Sequence, residues 1–178
     1  ATDMWMVTLG TGIGGGFVSG SKLQRGSHGF AGEIGHMVVD PSGPKCVCGQ
    51  RGCWERYASG NGLAYLGALA AERGHAHMVQ TLAGSNTSIR GEHIREAALL
   101  GDDEALAIVD EFARWVALGL SNLTTLLDPS MLVIGGGLAG SGDLFLQPIQ
   151  RWFGELLYSP ELRPHPKLVL AKFAEQAG

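Results

Sequence analysis

Three cysteines fall within eight residues, as Cys46-Val47-Cys48 and Cys53, and His36 stands ten residues upstream. Thiolates and an imidazole are soft or borderline donors, and three Cys with one His suit tetrahedral zinc in a structural site. Ligating thiols bind deprotonated, so the folding of this loop is expected to depend on metal. Gly49 and Gly52 let the chain turn tightly enough for the sulfurs to converge. The fourth ligand must come from elsewhere: His36 is best placed, and His28 is its local competitor. A plainer reading of the same residues is three buried thiols with His36 as a hydrogen-bonded core residue. His75, His77, His93 and His165 lie farther along the chain and read as surface residues. An odd number of cysteines so closely spaced argues against a disulfide framework.

Two carboxylates flank these residues. Glu33 opens Glu33-Ile34-Gly35-His36, and Glu55 follows Cys53-Trp54. Carboxylates accept hydrogen bonds from vicinal sugar hydroxyls, and an imidazole adds a further contact. Either carboxylate alone reads as a solvated surface group. Glycine makes up 28 of the 178 residues, much of it grouped in particular loops. Leu9-Gly10-Thr11-Gly12-Ile13-Gly14-Gly15-Gly16 follows a strand and can offer backbone N–H groups and a hydroxyl to phosphate oxygens. It lacks the Gly-Lys-Ser/Thr ending of a Walker A loop, and a Gly-rich hairpin is an equal reading. Gly135-Gly136-Gly137 lies between a strand and a helix, the usual place for a nucleotide in an open α/β sheet. A plain strand-to-helix turn is the alternative there.

The elements that must hold these groups are legible in outline. Met4–Leu9 reads as a buried strand, Phe17-Val18 starts another, and Ser19-Gly20-Ser21 reads as a hairpin turn. Arg25–Gly32 reads as a loop, and Ile34–Val39 as a strand stopped by Asp40-Pro41. A helix is expected from Tyr57, with Ser59 or Asn61 as N-cap. The segment from His75 to Arg90 has no clear pattern. A long helix capped by Asp102 carries Leu106, Val109, Ala113, Val116, Leu120, Leu123 and Leu127 at helical spacing and ends at Asp128-Pro129. Met131–Ile134 is a strand, about Asp143 to Leu157 a helix, and Lys167–Ala171 a final strand. The alternation of strands and helices in the second half favours an α/β layered architecture.

Composition narrows the function classes. Hydrophobic residues are 45% and charged residues 17% of the chain, as in an ordinary folded protein. The formal charge of -4, with scattered basic residues, excludes the basic face that nucleic-acid binding requires. No apolar run approaches the roughly 20 residues of a membrane span. Ala1–Thr8 lacks the pattern of a signal peptide, so no membrane partner and a cytoplasmic location are expected.

Taken together, Leu9–Gly16, Arg25-Gly26, Ala31-Gly32-Glu33-Ile34-Gly35-His36-Met37, Cys46-x-Cys48-Gly49-x-x-Gly52-Cys53-x-Glu55 and Tyr57-Ala58-Ser59-Gly60 resemble the signature of the ROK family. The version is that of zinc-containing, ATP-dependent glucokinases of Gram-positive, especially actinobacterial, type. Asp128-Pro129 and Val133-Ile134-Gly135-Gly136-Gly137 fit as well, so the resemblance covers nearly the whole chain. It implies a fold: residues 1–178 as the C-terminal lobe of an actin-like, ribonuclease-H-like ATPase fold, with a zinc loop at about 36–55. It implies glucose contacts at Glu33, His36 and Glu55, and zinc ligands at His36, Cys46, Cys48 and Cys53. His36 then serves both, one ring nitrogen to each, its tautomer fixed by the metal. Gly10, Thr11 and Gly12 resemble the phosphate loop, and Gly135, Gly136 and Gly137 the adenosine-side loop. ATP with Mg2+, transfer to the 6-hydroxyl of glucose, and a homodimer are further implications.

The resemblance also implies a catalytic Asp, a sugar-binding Asn and a first phosphate loop upstream of residue 1. Asp3 has the wrong neighbours to be that base, so this chain alone is expected to be inactive. The family pattern continues past an Ala-Gly into a final helix, whereas this chain stops at Ala177-Gly178, and Phe173-Ala174 departs from the usual Leu-Gly. Other expectations stay open: the sugar-sensing domain of a ROK transcriptional repressor, a kinase for N-acetylglucosamine, N-acetylmannosamine or fructose, and polyphosphate as donor.

Overall fold

Alternation along the first strand decides how the sheet is covered. In β1 (Met4–Leu9), Trp5, Val7 and Leu9 are buried while Met4, Met6 and Thr8 are half-buried. In the computed structural model, which describes residues 2–137 and 142–172, β1 is the middle strand of a five-stranded mixed sheet. The Phe173-Ala174 and Ala177-Gly178 features lie outside the described residues.

β2 (Ile13–Ser19) runs antiparallel to β1, and β3 (Lys22–Leu23) antiparallel to β2. The turn between β2 and β3 has positive φ at both Gly20 and Ser21, the tight hairpin geometry that matches strand twist. β4 (Met131–Gly135) and β5 (Lys167–Leu170) run parallel to β1, giving the order β3-β2-β1-β4-β5. Register places Trp5 beside Leu132 and Val7 beside Ile134, so the buried side chains of both strands share one face.

Among the described residues six helices follow the first hairpin. They are α1 (Glu55–Ala58), α2 (Gly60–Glu72), α3 (His77–Ala83), α4 (Gly91–Leu99), α5 (Asp103–Leu127) and α6 (Asp143–Leu156). α5 begins where Asp102 accepts a hydrogen bond from the Ala105 N–H at 2.9 Å. It ends at Asp128, which takes left-handed backbone angles ahead of Pro129. Its buried stripe runs through Ile108, Val109, Phe112, Val116, Leu120 and Leu123. Phe112 meets Phe145 of α6 edge to face, with ring centroids 5.6 Å apart, over Leu9 and Ile134. Leu106 and Leu127, expected on this stripe, are instead 38% and 45% exposed. Ala105 takes the buried place in the first turn, about 100° round the helix from Leu106, and Leu127 lies beyond the last buried turn.

Three further expectations change. Ile34–Val39 is not a strand: Ile34–His36 is a 3-10 turn, followed by a single bridge between Val38 and Cys53. The cause is tertiary, since Gly35 lies so close to β2 that a Cβ there would stand 2.5 Å from the Ile13 carbonyl oxygen. Backbone bonds are therefore local, from His36 N–H to Glu33 at 3.1 Å and Met37 N–H to Ile34 at 3.1 Å. The helix expected from Tyr57 is two helices, with Ser59 and not Asn61 as the cap of α2. The unpatterned stretch before Arg90 holds α3, of which Val79 alone is buried, so no periodic stripe marks it. Glu104 of α5 ties α3 down through the His77 N–H at 2.8 Å, a bond that holds its carboxyl below the usual range. Among the described residues no helix is long and apolar enough to cross a membrane.

Packing of α1 on α5 yields a test. The Trp54 indole occupies the space where a side chain on Gly119 would begin. Gly119→Ala is expected to cost about 1–3 kcal/mol by overpacking, against a gain of about 1 kcal/mol in helix propensity. Urea unfolding reads the difference, expected between no change and a clear fall, and a midpoint higher than wild type contradicts the packing described.

Candidate functional site

The ring of His36 and the sulfurs of Cys46, Cys48 and Cys53 come together, with all four donor atoms within 4.8 Å of one another. Cys48 Sγ and Cys53 Sγ are 3.5 Å apart, and His36 Nδ1 lies 3.7 Å from Cys46 Sγ. Zn–S bonds of about 2.3 Å and Zn–N bonds of about 2.0 Å in a tetrahedron set donor separations of about 3.5–3.8 Å. The donor set fits zinc in chemistry, the Cys48–Cys53 and His36–Cys46 separations match that spacing, and His28 has no part in it. Burial pushes the Cys46 thiol up, and burial with the two neighbouring thiols pushes Cys53 up to about 12. Cys48 is exposed and moves the other way, chiefly because the Gln50 backbone N–H stabilises its thiolate.

The loop carrying the sulfurs is a closed excursion. Val39 N–H donates to the Gly52 carbonyl at 2.9 Å, and Trp54 N–H to the Met37 carbonyl at 2.8 Å, so the chain leaves and returns at neighbouring points. Trp54 is fully buried and its Nε1–H donates to the Trp115 carbonyl of α5 at 2.7 Å. Tyr57 stacks on the Trp115 ring at 4.1 Å between centroids. These aromatics set the direction in which Cys53 and Glu55 project.

Glu55, the first residue of α1, stands beside this His–Cys cluster. Its Oε1 is 3.2 Å from Cys46 Sγ and 3.7 Å from His36 Nδ1. With Nδ1 turned to the sulfurs, Nε2 on the far side of the His36 ring points away from them. The His36 and Glu55 side chains are 35% and 18% exposed, so both reach a surface a ligand can share. Glu33 precedes the 3-10 turn with its side chain exposed, and makes no side-chain bond among the described residues.

The first glycine run divides into two parts with different jobs. Gly10, Thr11 and Gly12 form the turn between β1 and β2, whereas Gly14, Gly15 and Gly16 lie within β2, beneath the loop that carries His36. Gly10 accepts a hydrogen bond from the Gly60 N–H at 2.7 Å, which seats the start of α2 on the turn. Ser59 makes that start possible: its hydroxyl accepts from the Gly62 N–H at 3.1 Å and donates to the Glu55 carbonyl at 2.6 Å. A Cβ on Gly12 would stand 2.8 Å from Glu55 Oε2, so this turn touches the carboxylate. At the end of β4, Gly136 has φ +87 and passes 2.5 Å, measured from a Cβ position, from the Leu9 carbonyl oxygen. The second glycine run is thereby pressed against the exit of β1.

A pocket of about 520 Å³ opens over these turns, lined by Gly10, Thr11, Gly60 and Gly137 on one side and by Arg90, which precedes α4, with Gly91, Glu92 and Arg95 of α4 on the other. Nothing in the sequence places the α4 residues at a ligand site, and Asn61 of α2 stood out there only as a candidate helix cap. They carry no motif and lie off the Ile94, Ala97 and Ala98 stripe that buries the helix, and they become neighbours only when α2 and α4 pack. Arg90 and Glu92 pair at 2.5 Å across the rim. His93, expected at the surface, is half-buried and its Nδ1 accepts from the Arg90 N–H at 3.2 Å. Asp3 is far from this pocket, at the opposite end of β1, where it accepts from Ser19 Oγ and the Gly20 N–H.

Comparison with known proteins agrees with this arrangement, since residues 1–178 match the ROK family throughout. The chain belongs to the ROK family. Its mixed sheet and packed helices are those of ROK kinases, of the actin-like ATPase fold. It is 41% identical over 175 residues to a glucokinase of Streptomyces coelicolor, covering 97% of this chain and 55% of that protein. An N-acetylmannosamine kinase of Escherichia coli is 36% identical over 177 residues, covering 99% and 54%. The crystal structure of a ROK family glucokinase from Streptomyces griseus in complex with glucose and AMPPNP aligns with a TM-score of 0.90 at 43% identity. That alignment covers 97% of this chain and 56% of the other. The ROK chain described here spans about half the length of the curated relatives it matches.

The thiols make metal uptake a proton-releasing event. Cys53 and Cys46, with thiols raised by burial, are protonated at neutral pH without metal and must lose those protons to ligate. Zinc affinity is therefore expected to fall as pH is lowered, and each zinc bound to release about two to three protons into weakly buffered solution. An indicator dye measures the release. Zinc taken up with no protons released would exclude thiolate ligation by these residues.

Proposed function

We propose that this chain is the sugar- and nucleotide-binding lobe of a glucokinase that moves the γ-phosphoryl group of ATP to the 6-hydroxyl of glucose. The observation that carries the reading is the Gly10-Thr11-Gly12 turn, which borders the pocket on one side and meets the Glu55 carboxylate on the other. A group bound in the pocket and a group held by Glu55 share that turn as their common wall, which is what direct transfer between two substrates requires. The 41% identity to a glucokinase, and the glucose and AMPPNP bound by the Streptomyces griseus protein, support the same assignment.

In this reading Glu55, Glu33 and His36 Nε2 bind sugar hydroxyls. Carboxylates are strong acceptors, and each can orient a pair of neighbouring hydroxyls. Gly10, Thr11 and Gly12 offer N–H and hydroxyl donors to the phosphates, with Mg2+ accompanying the nucleotide. Gly135, Gly136 and Gly137 border the adenosine side. Zinc held by His36, Cys46, Cys48 and Cys53 would supply no reacting group; it would fix the orientation and tautomer of the imidazole. We assign no proton acceptor among the described residues: Asp3 is at the wrong end of β1, and Glu92 is paired with Arg90. This chain by itself is therefore expected to bind its ligands with little or no turnover.

The test uses the complete protein containing this chain, with ATP, Mg2+ and a panel of hexoses, and follows ADP and sugar phosphate. Glucose is expected as the preferred acceptor, with Glu55→Gln weakening glucose use about 10- to 100-fold through loss of a charge-assisted hydrogen bond. Preference for N-acetylmannosamine, the substrate named for the Escherichia coli relative, would replace the sugar and keep the reaction. No phosphorylation of any hexose would remove the proposal.

A further inference from the structure

Asp40 is the point where the sulfur-bearing loop is fastened, and nothing in the proposed chemistry uses it. Its carboxylate accepts from the Ser42 N–H at 3.0 Å through Oδ1 and from the Tyr57 hydroxyl at 2.6 Å through Oδ2. Its main chain is engaged as well: the N–H donates to the Gly52 carbonyl at 3.3 Å, and the carbonyl accepts from the Gly43 N–H at 2.9 Å. One residue thus joins the outgoing arm of the loop, its first turn, its returning arm and helix α1.

The surrounding glycines fit this arrangement. Gly52 has φ +64, and a side chain there would start on top of the Asp40 backbone. A side chain on Gly43 would run into the Tyr57 hydroxyl and the Gly52 backbone. Gly52 therefore does more than let the sulfurs converge, because its bare backbone lets Asp40 reach across the neck of the loop. Tyr57 is buried with its ring fixed against Trp115, so its hydroxyl is aimed without rotational freedom to lose. Burial, then the bond to Asp40, pushes the phenol well above its ordinary range, so it remains a donor at any physiological pH.

Along the chain Asp40 lies four residues after His36, and Tyr57 lies two residues after Glu55 and four after Cys53. We infer that Asp40 and Tyr57 form a positioning pair that sets the separation of the His36 arm from the Cys53–Glu55 arm, and so aligns both the zinc ligands and the sugar-binding groups. The inference rests on the sugar and zinc reading proposed above. Neither residue touches substrate or metal in it. The pair holds in register two stretches that a flexible loop would otherwise leave free to separate, and its effect therefore falls on metal retention and sugar affinity together.

Tyr57→Phe removes the hydroxyl and keeps the ring stack, and Asp40→Ala removes the acceptor. Zinc release from this chain into excess chelator, and glucose affinity by calorimetry on the zinc-loaded chain, are measured for each variant and for the double variant. Each single change is expected to speed zinc release and weaken glucose binding about 10-fold, the scale of one hydrogen bond to a charged group. The double variant is expected to match Asp40→Ala, which also loses the Ser42 contact, and not to multiply the two effects, because the hydroxyl and the carboxylate share one bond. Nucleotide affinity, read at the pocket bordered by α4, is expected to stay within about 2-fold of wild type, which a general loosening of the fold would not allow. Zinc release of Tyr57→Phe equal to wild type, or multiplicative effects in the double variant, overturns the inference. A wild-type chain that takes up zinc but binds no glucose counts against the sugar reading, and the zinc-release comparison then still decides whether the pair positions the loop. A wild-type chain that takes up no zinc removes the metal reading and this inference with it.

Discussion

Trp54 sits between Cys53 of the His–Cys cluster and the Glu55 carboxylate, and its burial against α5 is the constraint on which both depend. Burying an indole removes about 150–250 Å² from water, which at about 25 cal/mol per Å² is about 4–6 kcal/mol. A single loop hydrogen bond contributes about 1 kcal/mol, so this contact outweighs any one bond that closes the loop. Successive side chains at the start of a helix point about 100° apart. With Trp54 turned into the core on Gly119, the residues on either side of it are held in place. Cys53 joins the sulfurs, and Glu55 spans two neighbours, with Oε1 3.2 Å from Cys46 Sγ and Oε2 beside the glycine turn. The stack of Tyr57 on Trp115 repeats the anchoring one turn later.

The sheet supplies the second half of the geometry. Because β1 and β4 are parallel and in register from Met4 opposite Met131 to Thr8 opposite Gly135, their glycine runs leave the sheet at the same end. Gly136 then folds back under the Leu9 carbonyl, which only a residue without a side chain allows at that distance. Two segments separated by more than a hundred residues thus form one floor. Gly60, bonded to Gly10, attaches α2 to it, and α4 closes the pocket by packing beside α2.

Much of this was legible in the sequence where the determinant is local. The short apolar strand at Met4–Leu9, the caps at Asp102 and Ser59 and the break at Asp128-Pro129 are all short-range effects, and each lies where its residues indicate. The clustering of His36 with Cys46, Cys48 and Cys53 was legible because four donors of the chemistry that suits zinc are close in sequence. What escaped was set by distant partners. Ile34–Val39 has strand-like composition, but contact of Gly35 with β2 removes the room for a ladder. The glycine run from Gly10 to Gly16 gives no sign of where the turn stops and the strand begins. Arg90, Glu92 and Arg95 carry no motif at all, and their place at the pocket exists only through the packing of two helices. The bond from Tyr57 to Asp40 belongs to the same class, since nothing near either residue announces the other.

The length of α5 has a consequence for how the molecule comes apart. At 25 residues it is about 37 Å long by its rise per residue, and it touches α1, α2, α3, α4 and α6. The buried residues of all these helices belong to one continuous cluster with those of the sheet. No subset of helices therefore owns a core that would survive the loss of α5, and melting it exposes every partner's apolar stripe at once. Such an arrangement favours all-or-none unfolding over gradual erosion from one side. A local opening that frees the sulfur loop must then be a small fluctuation at its neck, or else the collapse of the entire helical layer.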